Sequence, residues 1–381
     1  MEIDSCSKID YLIKNRGFPL EIHTVTTEDG YILSMFRIRQ GKNGSNSSSS
    51  IKPPVLIMHG MFCSACDYLL NEYSLPYYLA DHGFDVWLGN SRGTPFSRKH
   101  NKWDCNKDRK KYWDFSYHEI GYYDIPAFID YIVKNTGVSR IYYIGHSQGT
   151  TNFFVLMSTR PEYNAKIRLG IMLAAAAVGH HVPTIPSFEY FIIPYLKLML
   201  HAFGPFEYSF LNNMRAFVRK CCSQFSWFER LVCCFIRKYF SFALTPSVTG
   251  NTSIRRFLTF TPTALSAKQV IHYGQAREVG LIRYFNYGTK KNVKVYGCAE
   301  PPSYDFSQIS SPLIIFVGGK DVFGVPEDLD EFIGLVGPNA KKYWIERKDY
   351  RHFDFLLAED SPEMVNKPIL NFLNEYTDAN C

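Results

Sequence analysis

The chain has 381 residues, 46% hydrophobic and 20% charged, an ordinary globular balance that excludes a disordered tail, a collagen and a coiled coil. A formal charge of +6, from 42 Lys+Arg against 36 Asp+Glu, is too mild for the clustered basic footprint of a nucleic-acid binder. The length suits one large α/β domain with an insertion or two to three smaller domains, and no apolar run reaches the roughly 20 residues of a membrane-spanning helix.

Taken in chain order, residues 1–20 are mixed, with a turn at Gly17–Pro19. Ile22 to Arg39 alternates about Glu28-Asp29-Gly30, which predicts a β-hairpin. Residues 41–50 are a polar loop rich in Ser and Asn. Val55–Met58 and Phe84–Leu88 read as short buried strands, Tyr123–Lys134 as a helix, and Ile141–Ile144 as a third strand. Thr150–Ser158 continues as helix, and Ile171–Ala177 is a fourth apolar run. Strands alternating with helices predict a parallel sheet with βαβ crossovers. That rhythm stops near His180 and resumes at Leu313–Val317 and Tyr343–Ile345. One α/β core, residues 1–180 and 291–381, is therefore expected around an inserted cap at 181–290.

Gly145-His146-Ser147-Gln148-Gly149 fits G-x-S-x-G. Such a pattern arises by chance on the order of 0.1 times in a chain this long, so its context matters more than the match. It follows a strand and precedes a helix, as a nucleophile elbow requires. A serine hydroxyl needs a base to attack, and in this arrangement the acid and then the histidine follow the serine along the chain. Asp321, after the strand Leu313–Val317, is the expected acid. His352, the only His after His272, is the expected base. Asp328 and Asp330 read instead as charge at a helix N-terminus. The backbone N–H groups of Gln148 and Met61 are the expected oxyanion donors. His59 is expected to shape the loop of that hole, and His146 to point away from the nucleophile.

With these residues in view, the chain resembles the acid lipases, the family of gastric and lysosomal acid lipases. The matching stretches include VTTEDGYIL from Val25, His59-Gly60-Met61, DVWLGNSR from Asp85, GHSQGTT from Gly145, Asn251-Thr252-Ser253 and Pro301–Asp305. The resemblance runs from about Ile9 to Tyr376. It implies an α/β-hydrolase fold with a helical cap, hydrolysis of neutral-lipid esters (triacylglycerols or steryl esters), and the triad Ser147, Asp321 and His352 with Met61 and Gln148 as oxyanion donors. No metal or organic cofactor is implied. The family's secretory signal is not visible at Met1–Cys6, and the N-terminus is expected to be incomplete. Family and sequons (Asn43, Asn46, Asn251) favour a lysosomal or secreted protein, with a cytosolic lipid-droplet enzyme as the alternative. The rival functions are a silent lipid carrier, opposed by the complete Ser, Asp and His set, and a serine peptidase, opposed by the apolar insertion.

Residues 186–245 hold 16 aromatics and seven basic residues (Lys197, Arg215, Arg219, Lys220, Arg230, Arg237, Lys238) against three acids. This +4 is most of the net charge, and it suits the insertion to docking on a lipid–water interface. The resemblance implies a cap disulfide between Cys221-Cys222 and Cys233-Cys234, with the pairing open. Cys63 and Cys66 are read as small buried residues, a local disulfide being the lesser alternative.

Overall fold

The computed structural model describes residues 9–42, 44, 52–183, 191–209, 243–245 and 251–378. Nine strands form the main sheet: β1 (Glu21–Thr26), β2 (Tyr31–Ile38), β3 (Pro54–Met58), β4 (Asp85–Gly89), β5 (Lys99–His100), β6 (Ile141–His146), β7 (Ile167–Leu173), β10 (Leu313–Val317) and β11 (Ala340–Trp344). A separate two-stranded pair joins β8 (Glu207–Tyr208) to β9 (Leu265–Ser266). The main order is β1-β2-β4-β3-β6-β7-β10-β11, with β5 on β2. From β4 to β11 every pairing is parallel, and β1, β2 and β5 add antiparallel pairings at one edge. The helices include α1 (Leu75–Asp81), α2 (Ile125–Thr136), α3 (Gln148–Thr159), α4 (Ile193–Phe203), α5 (Asn251–Phe260), α6 (Ala267–Val279), α7 (Pro326–Val336) and α8 (Lys367–Asp378). This is the α/β-hydrolase fold. No described helix is long and apolar enough to cross a membrane.

The central strands are largely apolar and buried at nearly every position because both sheet faces are covered. Alternation sends Val55, Ile57, Tyr142, Ile144, Ile314 and Phe316 to one core, where α1, α5 and α8 pack. It sends Leu56, Met58, Ile141, Tyr143, Leu313 and Ile315 to the other, under α2, α3 and α7. The predicted hairpin forms, with Gly30 at φ 99 in its turn. Among the described residues, the chain between 181 and 290 adds no strand to the main sheet.

Two expected elements shift. The fourth apolar run, Ile171–Ala177, is only in part strand: β7 covers Ile167–Leu173, Ala174 turns the backbone at φ 51, and Ala175 and Ala177 fill the second core from a loop. The predicted helix 123–134 opens with a π-turn at Ile120–Asp124 and runs as α2 to a left-handed Gly137. Cys63 and Cys66 are free and buried, as expected of small core residues, and the lesser alternative, a local disulfide, does not form. Cys221, Cys222, Cys233 and Cys234, Asn43 and Asn46, and six of the seven basic residues of the insertion lie outside the described residues.

A buried ion network ties the loop after β4 to the rest of the core. Arg92, 2% exposed, bonds Asp29 at 2.6 and 2.9 Å and Asp124 at 2.7 Å. Its guanidinium lies 3.9 Å from the Tyr31 ring centroid. Losing the arginine side chain would leave the buried Asp124 carboxylate without its ion-pair partner, held by the backbone N–H of residue 92 at 2.9 Å, a change that costs about 3–5 kcal/mol. The network matters because the same loop carries Ser91, whose backbone N–H binds His59 beside the expected oxyanion donor Met61.

Candidate active site

Three of the expected residues sit at the C-terminal ends of parallel strands, where open α/β sheets carry their chemistry. Ser147 joins β6 to α3 with φ 52 and ψ −118, a backbone strain characteristic of nucleophile elbows. The flanking glycines are forced by contact: a Cβ on Gly145 would lie 2.8 Å from the Gly149 backbone, and one on Gly149 would lie 2.5 Å from the Met58 carbonyl oxygen. The turn is pinned by the Ser147 N–H donating to the Leu173 carbonyl at 3.0 Å.

The Ser147 Oγ lies 2.9 Å from His352 Nε2. His352 Nδ1 lies 3.0 and 3.1 Å from the two Asp321 oxygens. Asp321 Oδ1 also accepts the N–H groups of Phe323 at 2.9 Å and Gly324 at 3.1 Å. Burial pushes the Asp321 carboxyl up, but the His352 ring and these backbone donors outweigh it and hold the group below the usual carboxylate range. An ionised Asp321 fixes the His352 proton on Nδ1, which leaves Nε2 free to accept from Ser147. Together these groups can take a proton from the serine and store the resulting positive charge on the ring.

The two expected oxyanion donors come from separate segments. Gln148 opens α3, so its backbone N–H belongs to the first turn, where no intrahelical acceptor exists. The helix dipole reinforces that site for an anion. Met61 lies in the turn that Cys63 N–H closes on the Gly60 carbonyl at 3.2 Å. His59, Met61, Gln148, Leu265 and Gln269 share one small cavity of about 10 Å³, room for roughly one water.

His59 holds the oxyanion loop with both nitrogens. Nε2 lies 3.2 Å from the Ser91 backbone N and must accept its proton, so Nδ1 is the donor to the Gly60 carbonyl at 2.9 Å. Only the neutral ring can do both. Burial drives its pKa down to about 4, against a smaller upward pull from the Gly60 bond. Because the folded value lies below the unfolded one, this stabilisation is complete above about pH 6.5 and is lost as pH falls towards 4. His59→Gln, which cannot titrate, should therefore lose about 2–3 kcal/mol less stability than the parent between pH 7 and 4.5. Urea midpoints at the two pH values measure this, and an equal loss in both proteins would refute it.

Some roles were not visible in the sequence. His146 does more than point away from the serine: its Nε2 donates to the His352 carbonyl at 2.8 Å, bracing the loop that carries the base. Asp328 lies in the first turn of α7 as expected, yet it also binds the His181 backbone and ring, at 3.1 and 2.8 Å. A serine elbow signals His146 only as a neighbour. Nothing local in the sequence marks its distant partner.

A family model described as a partial α/β-hydrolase lipase region matches residues 9–72, and one described as the α/β hydrolase fold matches residues 53–221. Lipase 1 of Drosophila melanogaster is 35% identical over 98% of this chain and 81% of its own length. Human gastric triacylglycerol lipase is 33% identical, covering 96% of this chain and 91% of its own. Among solved structures, a putative lipase from Sulfolobus solfataricus superposes with a TM-score of 0.63 at 16% identity, covering 94% of this chain and 95% of its own.

Proposed function

The chain belongs to the acid lipase family of α/β-hydrolases and is a carboxylic ester hydrolase, and from that premise we propose that it cleaves neutral-lipid esters through an acyl-enzyme on Ser147. The observation that carries the reading is the continuous chain from Ser147 Oγ through His352 to Asp321. His352 takes the serine proton as Oγ attacks the ester carbonyl. The N–H groups of Met61 and Gln148 receive the developing oxyanion. The protonated His352 then gives its proton to the departing alcohol oxygen, and water, deprotonated by the same ring, cleaves the acyl-enzyme. Asp321 keeps the ring in its productive tautomer throughout.

Triacylglycerols and steryl esters are the proposed substrates. The gastric relatives are triacylglycerol lipases by name, and α4, with the turn at 191–192 that leads into it, offers an apolar face to a lipid surface. Phe191, Tyr195 and Leu198, at helical spacing i, i+4, i+7, are 73%, 58% and 61% exposed. The opposite side of α4, through Leu196, packs on Val270 and Ile271 of α6. Moving two such aromatics into lipid gains roughly 2 kcal/mol each, enough to hold the enzyme on an emulsion droplet. A lysosomal or secreted location is proposed on family membership and the Asn251 sequon.

The test compares two substrates. Replacing Phe191, Tyr195 and Leu198 together by Ser should lower turnover of emulsified triacylglycerol about tenfold or more, while hydrolysis of dissolved p-nitrophenyl butyrate stays within about twofold. An equal effect on both substrates would remove the lipid-surface reading.

A further inference from the structure

The helix α6 lies against the nucleophile elbow through buried polar contacts rather than apolar packing alone. Gln269, 4% exposed, donates its Nε2–H to the Gln148 side-chain oxygen at 3.3 Å, and Gln148 is itself 2% exposed. One turn further along both helices, the Tyr273 hydroxyl donates to Thr151 Oγ1 at 2.9 Å. Thr151 passes its own proton to the Ala176 carbonyl at 2.6 Å. Four residues on α6 and three on α3 separate these contacts, so they form two rungs on facing helix surfaces.

The direction of the first rung is fixed by local chemistry. Ser266 caps α6, and its backbone N–H donates to Gln269 Oε1 at 3.1 Å, closing a capping box. With its oxygen committed, Gln269 must turn its NH₂ towards Gln148. The α6 end of the ladder is also anchored to the core. Ser266 Oγ donates to the Trp113 carbonyl at 2.7 Å, and Lys268, 2% exposed, pairs with Asp114 at 2.8 Å and Glu119 at 3.7 Å. His272 reaches the Arg283 carbonyl at 2.8 Å and Ser116 Oγ at 2.9 Å. Buried pairs of this kind hold only if every partner stays in register.

We propose that Gln269 is a positioning residue, whose amide holds the Gln148 side chain and thereby aims the Gln148 backbone N–H at the oxyanion, with Tyr273 steadying the second turn. This rests on the reading of Gln148 as an oxyanion donor. An oxyanion donor acts only where the transition state places its charge, and a displacement of about 1 Å can cost on the order of a hundredfold. The inserted segment therefore does more than cover the site: its α6 sets the geometry of the hole.

The experiment is a double-substitution cycle on full-length enzyme with dissolved p-nitrophenyl butyrate. Gln148→Met keeps the backbone N–H and the helix cap but removes the side-chain acceptor. Gln269→Met removes the donor. Each is expected to lower kcat about tenfold with KM within about twofold, and the double variant should lose no more than either single one. A kcat within about twofold of the parent in either single variant overturns the proposal. So does a double variant whose loss is the product of the two. Should Gln269→Met fail to fold, Gln148→Met alone still decides, because parental kcat there is incompatible with the brace. A KM rise without a kcat change would assign Gln269 to substrate binding and also refute it. Failure of the acyl-enzyme reading itself would show differently, as turnover retained by Ser147→Ala.

Discussion

Ser147→Ala is expected to lower kcat for ester hydrolysis by about a millionfold, the scale on which removal of a serine nucleophile acts in hydrolases with this triad. The loss should be that large because no other hydroxyl replaces the one that His352 faces at 2.9 Å. The remaining oxyanion donors and the binding pocket would still lend some rate over water, so trace turnover is consistent with the assignment. Stability should barely change. The backbone strain at φ 52 belongs to the turn, the glycines on either side set it, and alanine keeps the same Cβ. Thermal unfolding of parent and variant within about 2 °C, together with the lost turnover, would separate a chemical defect from a folding one.

Asp321→Asn is expected to lower kcat about ten-thousandfold while leaving the fold intact. The reason lies in what else the carboxylate binds. Oδ1 accepts the N–H groups of Phe323 and Gly324, so an asparagine would keep its oxygen there and turn its NH₂ towards His352 Nδ1. A donor at that position forces the ring proton onto Nε2, which then faces Ser147 with a hydrogen instead of a lone pair. A variant with more than about a tenth of parental kcat would show that Asp321 is not the orienting acid.

The strand–helix rhythm and the elbow were legible because they are local. Val55–Met58 and Leu313–Val317 are short apolar runs whose ends carry glycine or polar turns, and burial on both faces removes any other reading. Gly145 and Gly149 stand where a Cβ would meet backbone, so their positions carry the turn directly. Chain order then pointed to Asp321 and His352. What escaped were pairings across long sequence distances. Gln148 and Gln269 are 121 residues apart, and His146 and the His352 carbonyl are 206 apart. The Ser266–Gln269 spacing marks a helix cap, but nothing near either glutamine points to the other. The run Ile171–Ala177 is strand only to Leu173 for a related reason: Ala174, Ala175 and Ala177 are apolar and buried, but a turn at Ala174 takes them out of the sheet. Hydrophobicity reports burial, not the backbone direction that achieves it.

The central claim is a covalent intermediate on one serine. The most direct measurement is to treat the enzyme with a fluorophosphonate, digest it and locate the adduct by mass spectrometry while following triacylglycerol hydrolysis. One phosphonyl group per chain is expected, on the peptide containing Ser147, with hydrolysis falling in proportion to labelling. Adduct formation at another residue, or hydrolysis that persists when Ser147 is fully labelled, would contradict it.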